Sequence, residues 1–148
     1  MAELDTEQLV HDIEEYGWHV LQVTGEEGEP DYCYSVGFYH SFDQPEVAIF
    51  GLPHEVAHEL INLIGEDLVL GKAIAPASYL SDIIEGYDCY LLEVDGQFYE
   101  PYFEYALWFY QGDEFPIAQC LYPADDGSYP WEWSEEDQKF QPLLGDVD

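Results

Sequence analysis

Residues 54–58 read His-Glu-Val-Ala-His, the HExxH pattern. On a helix, positions i and i+4 share a face. His54 and His58 could therefore hold one zinc ion while Glu55 activates a bound water, as in a zinc-dependent hydrolase. The rest of the chain gives this chemistry little support. His54 directly follows Pro53, which puts it in the first turn of a helix. His58 is the last histidine, so a third ligand must be a carboxylate such as Glu66, Glu85 or Glu93, and nothing marks one of them. A chain rich in acids also places Glu beside His by chance.

Other chemistries have weaker signatures. Paired carboxylates occur throughout, so no pair identifies a glycosidase-type site. There is no GxSxG, no cysteine with the flanks of a known nucleophile, and no Gly-rich phosphate loop. Tyr32, Tyr34, Phe38 and Tyr39 could line an aromatic pocket of a cofactor-binding α+β enzyme, but aromatics at strand spacing are more often core. No cofactor is called for.

Charge is the extreme property. The 148 residues carry 33 Asp and Glu against two lysines, Lys72 and Lys139, with no arginine, for a net charge of −31. Such self-repulsion destabilises a compact state unless the surface is used. Aromatic residues make up 17% of the chain, far above a disordered acidic tail, so a folded aromatic core under an acidic shell is expected. Three readings compete: salt adaptation, a surface built for a basic partner, and an incidental bias. Salt adaptation explains hydrated carboxylates but gives no reason to exclude every guanidinium. A surface that meets a cationic groove gives one, because each Arg would repel the partner. Two lysines far apart in sequence cannot build a phosphate-binding groove, so direct binding of nucleic acid is disfavoured. An anionic membrane surface is disfavoured on the same ground. Cys33, Cys89 and Cys120 are odd in number and widely spaced, which fits reduced thiols in the cytoplasm. The N-terminus lacks the basic and apolar regions of a signal peptide, and no apolar run approaches membrane-spanning length.

The elements that must position these groups follow from periodicity. Residues 4–16 read as a helix capped by Asp5 or Thr6, with Leu9, Val10, Ile13 and Tyr16 on one face and Gly17 ending it. Trp18–Val23 alternates as a strand. Residues 24–30 turn, and Tyr32–Tyr39 is a second strand with Gly37 inside it. After a turn at 40–45, Val47–Leu52 is a continuous apolar run, the mark of a central strand covered on both faces. A helix then runs from Pro53 to Gly65. Leu68–Leu70 is a short apolar piece and residues 73–81 form a loop or short strand. Tyr87–Val94 is a strand with Gln97–Tyr99 pairing beside it as a hairpin. Residues 102–110 form a helix buried nearly all round, and Phe115–Tyr122 is the last strand. The tail from Pro123 is expected to wrap irregularly with Tyr129, Trp131 and Trp133 tucked in; 134–148 is irregular and its last few residues fray. The expected fold is a single α+β domain over 1–148, mainly an antiparallel sheet packed by two or three helices.

Several segments, in order, resemble a bacterial family known as domain of unknown function 4262. They are Tyr16-Gly17-Trp18-His19-Val20, Tyr34-Ser35-Val36-Gly37-Phe38, Gln44-Pro45-Glu46-Val47 and Phe50-Gly51-Leu52-Pro53. Gly86-Tyr87-Asp88, the run Tyr105 to Tyr110, Tyr122-Pro123-Ala124-Asp125 and Tyr129-Pro130-Trp131 continue it. The resemblance spans about 13–133 and implies a small soluble bacterial α+β domain with no established activity. In that family the position of His54 is usually not His, which points away from zinc, and the heavy acidity is a specialisation of this member.

The function expected is an acidic binding protein that neutralises a basic partner by occlusion. Its most concrete form is an immunity protein or antitoxin against a cognate toxin such as a nuclease. The carboxylates nominated are Glu26, Glu27, Glu29 and Asp31 in one loop, and Asp125, Asp126, Glu132, Glu135 and Glu136 near the end. The aromatic stretch Tyr129–Trp133 is expected either to pin the tail or, where exposed, to anchor a partner.

Overall fold

The computed structural model describes residues 6–84 and 86–147. Six strands, β1 (His19–Val23), β2 (Tyr32–Val36), β3 (Glu46–Phe50), β4 (Ser78–Ile84), β5 (Tyr87–Glu93) and β6 (Ile117–Leu121), form one sheet in the order β1-β2-β3-β6-β5-β4. Every neighbouring pair is antiparallel except β3 and β6, which run parallel with Glu46 opposite Ile117. The expected α+β fold is the observed one.

Alternation sends the side chains of the inner strands β2, β3 and β6 to two buried faces. On one face Val20, Cys33, Val47, Ile49, Leu91 and Cys120 meet the helix α3 (His54–Val69) through Ala57, Leu60, Ile61 and Ile64. On the other, Leu21, Tyr34, Ala48, Phe50 and Ile117 meet α1 (Thr6–Tyr16), α4 (Tyr99–Tyr102) and α5 (Glu104–Tyr110). Each large apolar side chain taken fully out of water here contributes about 1.5–3 kcal/mol. β3 is buried along its whole length, as its apolar run requires.

Several boundaries differ from the sequence expectation, each for a local reason. The start at residue 4 with Asp5 as a cap lies outside the described residues. In α1, Leu9 and Ile13 are buried, but Tyr16 is 69% exposed because the sheet lies under the middle of the helix and not its end. The second strand stops at Val36. Gly37, at φ 126°, turns the chain into the short helix α2 (Phe38–Phe42), so residues 40–42 are helical instead of a turn. α3 does not end at Gly65 but continues to Val69 and absorbs most of the Leu68–Leu70 stretch. Gly65 stands mid-helix because Trp18 crosses it: a Cβ there would lie 2.5 Å from the indole. The segment at 73–81 is loop up to Ala77 and then enters β4, which runs on to Ile84, and Gln97–Tyr99 forms helical turns and no hairpin. The helix expected over 102–110 is present as α5, but Ala106 is its one fully buried residue among those described and Trp108 is 49% exposed.

The tail wraps back on the sheet with its aromatics tucked in, as expected, and side-chain hydrogen bonds pin it. Gln141 lends the backbone of Tyr122 a strand-like partner, accepting from its N–H at 3.0 Å and donating to its carbonyl at 2.9 Å. Buried Gln119 accepts from the Leu144 N–H at 3.0 Å. Tyr129 stacks on Trp131 at 4.8 Å, and Trp131 meets Tyr90 edge-on, so the aromatic stretch covers β5 and β6. A short helix, α6 (Glu135–Gln138), is capped by Ser134.

Gly65 yields a prediction opposite to helix propensity. Ala is favoured over Gly by about 1 kcal/mol inside a helix. Gly65→Ala is nonetheless expected to destabilise by about 1–3 kcal/mol, because Trp18 is held by its Nε1 donating to Asn62 at 2.9 Å and cannot withdraw cheaply. Urea unfolding checks it, and a gain in stability would refute the packing account.

Candidate functional site

Strand directions decide which loops meet. The end of β3 lies beside the start of β2, with Phe50 opposite Tyr32, and β6 runs parallel to β3. The loop after β1, the connection from β3 into α3 and the segment leaving β6 therefore share one end of the sheet. Glu26, Glu27, Glu29 and Asp31 sit in the first of these, and Asp125 and Asp126 in the last. The Phe140 backbone packs against Gly51 and Gln141 bonds Tyr122, so Glu135 and Glu136 in α6 stand at this end too. The two acidic groups nominated from sequence are thus brought to one end of the molecule.

Within them, three carboxylates also hold local structure. Asp31 accepts from the Gly25 N–H at 2.8 Å and closes its loop. Asp126 accepts from the Ser128 N–H at 2.9 Å and hydroxyl at 2.6 Å, bonds that hold its carboxyl below the usual range. Glu132 accepts from the Tyr129 N–H at 2.8 Å. Glu26, Glu27, Glu29, Asp125, Glu135 and Glu136 are exposed.

The HExxH residues take separate partners. The His54 ring lies between two groups of the β2 region: its Nδ1 is 3.5 Å from the Cys33 thiol and its Nε2 is 3.6 Å from Asp31. His58 turns toward β1, with Nδ1 3.4 Å from the Gln22 amide. Glu55 is exposed. Among the described residues no group of three or more His, Cys, Asp or Glu is arranged to hold a metal ion, and Glu85 lies outside them. Cys33, His54 and Asp31 form a line of nucleophile, base and acid by residue type. Burial, followed by the nearby Asp31, pushes the Cys33 thiol up to about 12, so the thiolate that such chemistry needs is suppressed.

Of the other nominated features, Tyr32, Tyr34 and Phe38 are buried in the core, with Tyr32 stacked on Phe50 at 4.5 Å. Cys89 and Cys120 are buried neighbours on β5 and β6, and all three cysteines are free. No helix among the described residues is long and apolar enough to cross a membrane.

Two features were missed from sequence. One is Glu46, fully buried at the head of β3. Its Oε1 accepts from Ser35 Oγ at 2.7 Å and the Phe38 N–H at 3.1 Å. Its Oε2 accepts from the Gly37 and Tyr39 N–H groups at 3.0 and 3.1 Å and from the Tyr110 hydroxyl. This carboxyl caps α2, which has no side-chain cap of its own. Its place in the Gln44-Pro45-Glu46-Val47 segment was its one mark in the sequence; charge alone could not single out one acid among 33. The other is a groove along the edge of β1, of about 630 Å³, lined by Gln22, His58, Tyr102 and Glu104 and also by Tyr32 and Tyr34, two of the four aromatics named from sequence as candidates to line a pocket. Its walls come from elements far apart in sequence.

A protein-family model described as "Domain of unknown function (DUF4262)" matches residues 12–134. The chain belongs to the DUF4262 family. The match covers most of the chain and agrees with the span over which the sequence resembles that family. No curated protein and no solved structure matches it. Within this DUF4262 domain the family segments have visible tasks. Gly37 and Glu46 belong to one hydrogen-bonded node, and Gly51-Leu52-Pro53 carries the chain from β3 into α3.

Proposed function

We propose that this DUF4262 protein is an acidic binding protein that neutralises a basic partner by occlusion, as an immunity protein or antitoxin does against a toxin such as a nuclease. The observation that carries this is the gathering of two exposed carboxylate clusters at one end of a chain of net charge −31 without a single arginine. Carboxylates there occupy positions that phosphates would take in a cationic cleft and steer the encounter. An apolar patch with one tyrosine lies beside them. Val56, Leu63 and Tyr87 are each about 38–39% exposed around a hollow of about 700 Å³ rimmed by Glu59 and Asp125.

The test is binding to the product of the adjacent reading frame, measured by calorimetry across salt. Affinity is expected to fall at least tenfold, roughly, between about 50 and about 500 mM salt, as rim charges are screened. Joint reversal of Glu26, Glu27 and Glu29 to Lys, and separately of Asp125, Glu135 and Glu136, is expected to weaken binding by roughly a further tenfold or more each. Salt-insensitive binding, or full affinity in both triple variants, would overturn the proposal. A halophilic surface would instead need salt to fold. The partner-directed surface leaves the protein folded at about 10 mM salt, which circular dichroism decides.

A further inference from the structure

The sheet has two edges, and they differ. β4 is irregular, with its pairing register broken between Leu80 and Ile84. A bulged edge resists added strands. β1 is regular: His19 to Val23 pair with Val36 to Tyr32 without a break. It contains none of the lysine, proline or bulge that normally guards an edge. In an antiparallel pair alternate residues turn their N–H and C=O away from the partner, so β1 presents a row of such groups outward.

This edge forms the floor of a channel. The groove beside it and a second hollow of about 490 Å³ share His19, Val20 and His58, so the two run together along β1. One wall is α3, with His58, Asn62 and Glu66. The other is formed by Tyr102, Glu104 and Tyr105, with Glu26 from the loop after β1. Glu26, Glu66 and Glu104 are exposed carboxylates on the channel, and neither lysine of the chain lines it. Tyrosine faces beside carboxylates suit a guanidinium or ammonium group.

We propose that the β1 edge receives an extended, lysine- and arginine-rich segment of a partner protein as an added strand. Main-chain hydrogen bonds to β1 hold the segment, and its side chains alternate between the α3 wall and the tyrosine wall. A second copy of this chain is a poor occupant, because two molecules of charge −31 repel. The inference rests on the basic-partner proposal and adds how part of that partner is held.

The experiment uses the intact protein and a fluorescent peptide of alternating Lys and Val at about 150 mM salt. Two versions carry backbone N-methyl groups, one on the odd and one on the even residues, with charge unchanged. One pattern is expected to lose roughly tenfold or more in affinity, because its methyls replace the donors facing β1, while the other stays within about twofold. The alternate amides of His19–Val23 that face away from β2 should gain hydrogen-exchange protection. The double variant Glu26→Lys, Glu104→Lys, altered only at exposed positions, should also lose roughly tenfold. Equal affinity of both methylated peptides, or protection at 122–126 in place of β1, overturns the added strand and leaves the basic-partner proposal standing. Failure of every basic peptide and of the adjacent gene product to bind overturns both.

Discussion

Glu46→Gln is expected to cost about 3 kcal/mol of stability, seen as a fall in Tm of roughly 10 °C. The substitution keeps shape and removes an oxygen, so hydrogen-bond chemistry alone decides the outcome. Three backbone N–H groups cannot turn away, and they divide between the two oxygens: Phe38 on one, Gly37 and Tyr39 on the other. Either protonation state of a carboxyl keeps a lone pair on each oxygen. An amide nitrogen has none, so both orientations of the substituted side chain set N–H against N–H. Ser35, which accepts from the Val47 N–H at 2.9 Å, has a second lone pair to offer an amide, but turning its hydroxyl does nothing for the Phe38 N–H, which is left facing a donor. Burial raises the pKa of Glu46 above its ordinary 4.5, opposed by the bonds from Tyr110, Ser35, Tyr39 and Gly37. A raised folded-state value means that the native protein holds this proton more tightly than the unfolded chain. The contribution of Glu46 is then fullest below about pH 4.5 and declines as pH rises through the folded-state value. The gap between wild type and Glu46→Gln should narrow over that rise. A gap that is negligible at every pH would show that α2 is held by something else.

Gly37→Ala is expected to be more damaging still, at about 4 kcal/mol or more, enough to leave little folded protein at 37 °C. Two costs combine. At φ 126° an L side chain is strained wherever it stands. Here its Cβ would also lie 2.5 Å from the Gly17 carbonyl and 2.7 Å from the Trp18 Cα, both main chain. Moving them would disturb the entry to β1 or pull the Gly37 N–H from Glu46. Gly28 is the control. It too has positive φ, 84°, but nothing lies within 4 Å of its would-be Cβ. Gly28→Ala should cost only about 1–2 kcal/mol. Equal losses in the two variants, measured by denaturant unfolding, would mean that backbone strain and not the close approach governs Gly37.

These two residues also mark where sequence patterning ceased to inform. The long apolar run of β3 reports its burial directly, and the β-prone residues of β1 marked it as a strand, so both were legible. Pro53 announced α3. Its far end was misplaced because Gly65 resembles a terminator, and only the position of Trp18, far away in sequence, explains it. The strand at Tyr32 was extended too far because Phe38 and Tyr39 suit a strand as well as a helix. The turn between them depends on a carboxylate from the next strand. The acidic loops were legible as composition, but their convergence on one end came from strand order, which no local pattern encodes. The channel beside β1 was invisible for the same reason, since α3 and α5 supply its walls.

The parallel pairing of β3 with β6 has a consequence for how the molecule is assembled. β1, β2 and β3 follow one another along the chain and lie side by side, and so do β4, β5 and β6. Each trio is a meander whose partners are close in sequence. The seam between the trios brings Glu46 to Ile117 and must close about half of the chain into a loop. Contacts of that span are slow to form, because loop entropy is lost before the contact repays it. Two half-sheets can thus arise early and zip together late. Glu46, first residue of the seam on its side, lies where the second half-sheet arrives, and the Tyr110 hydroxyl that it receives belongs to that half.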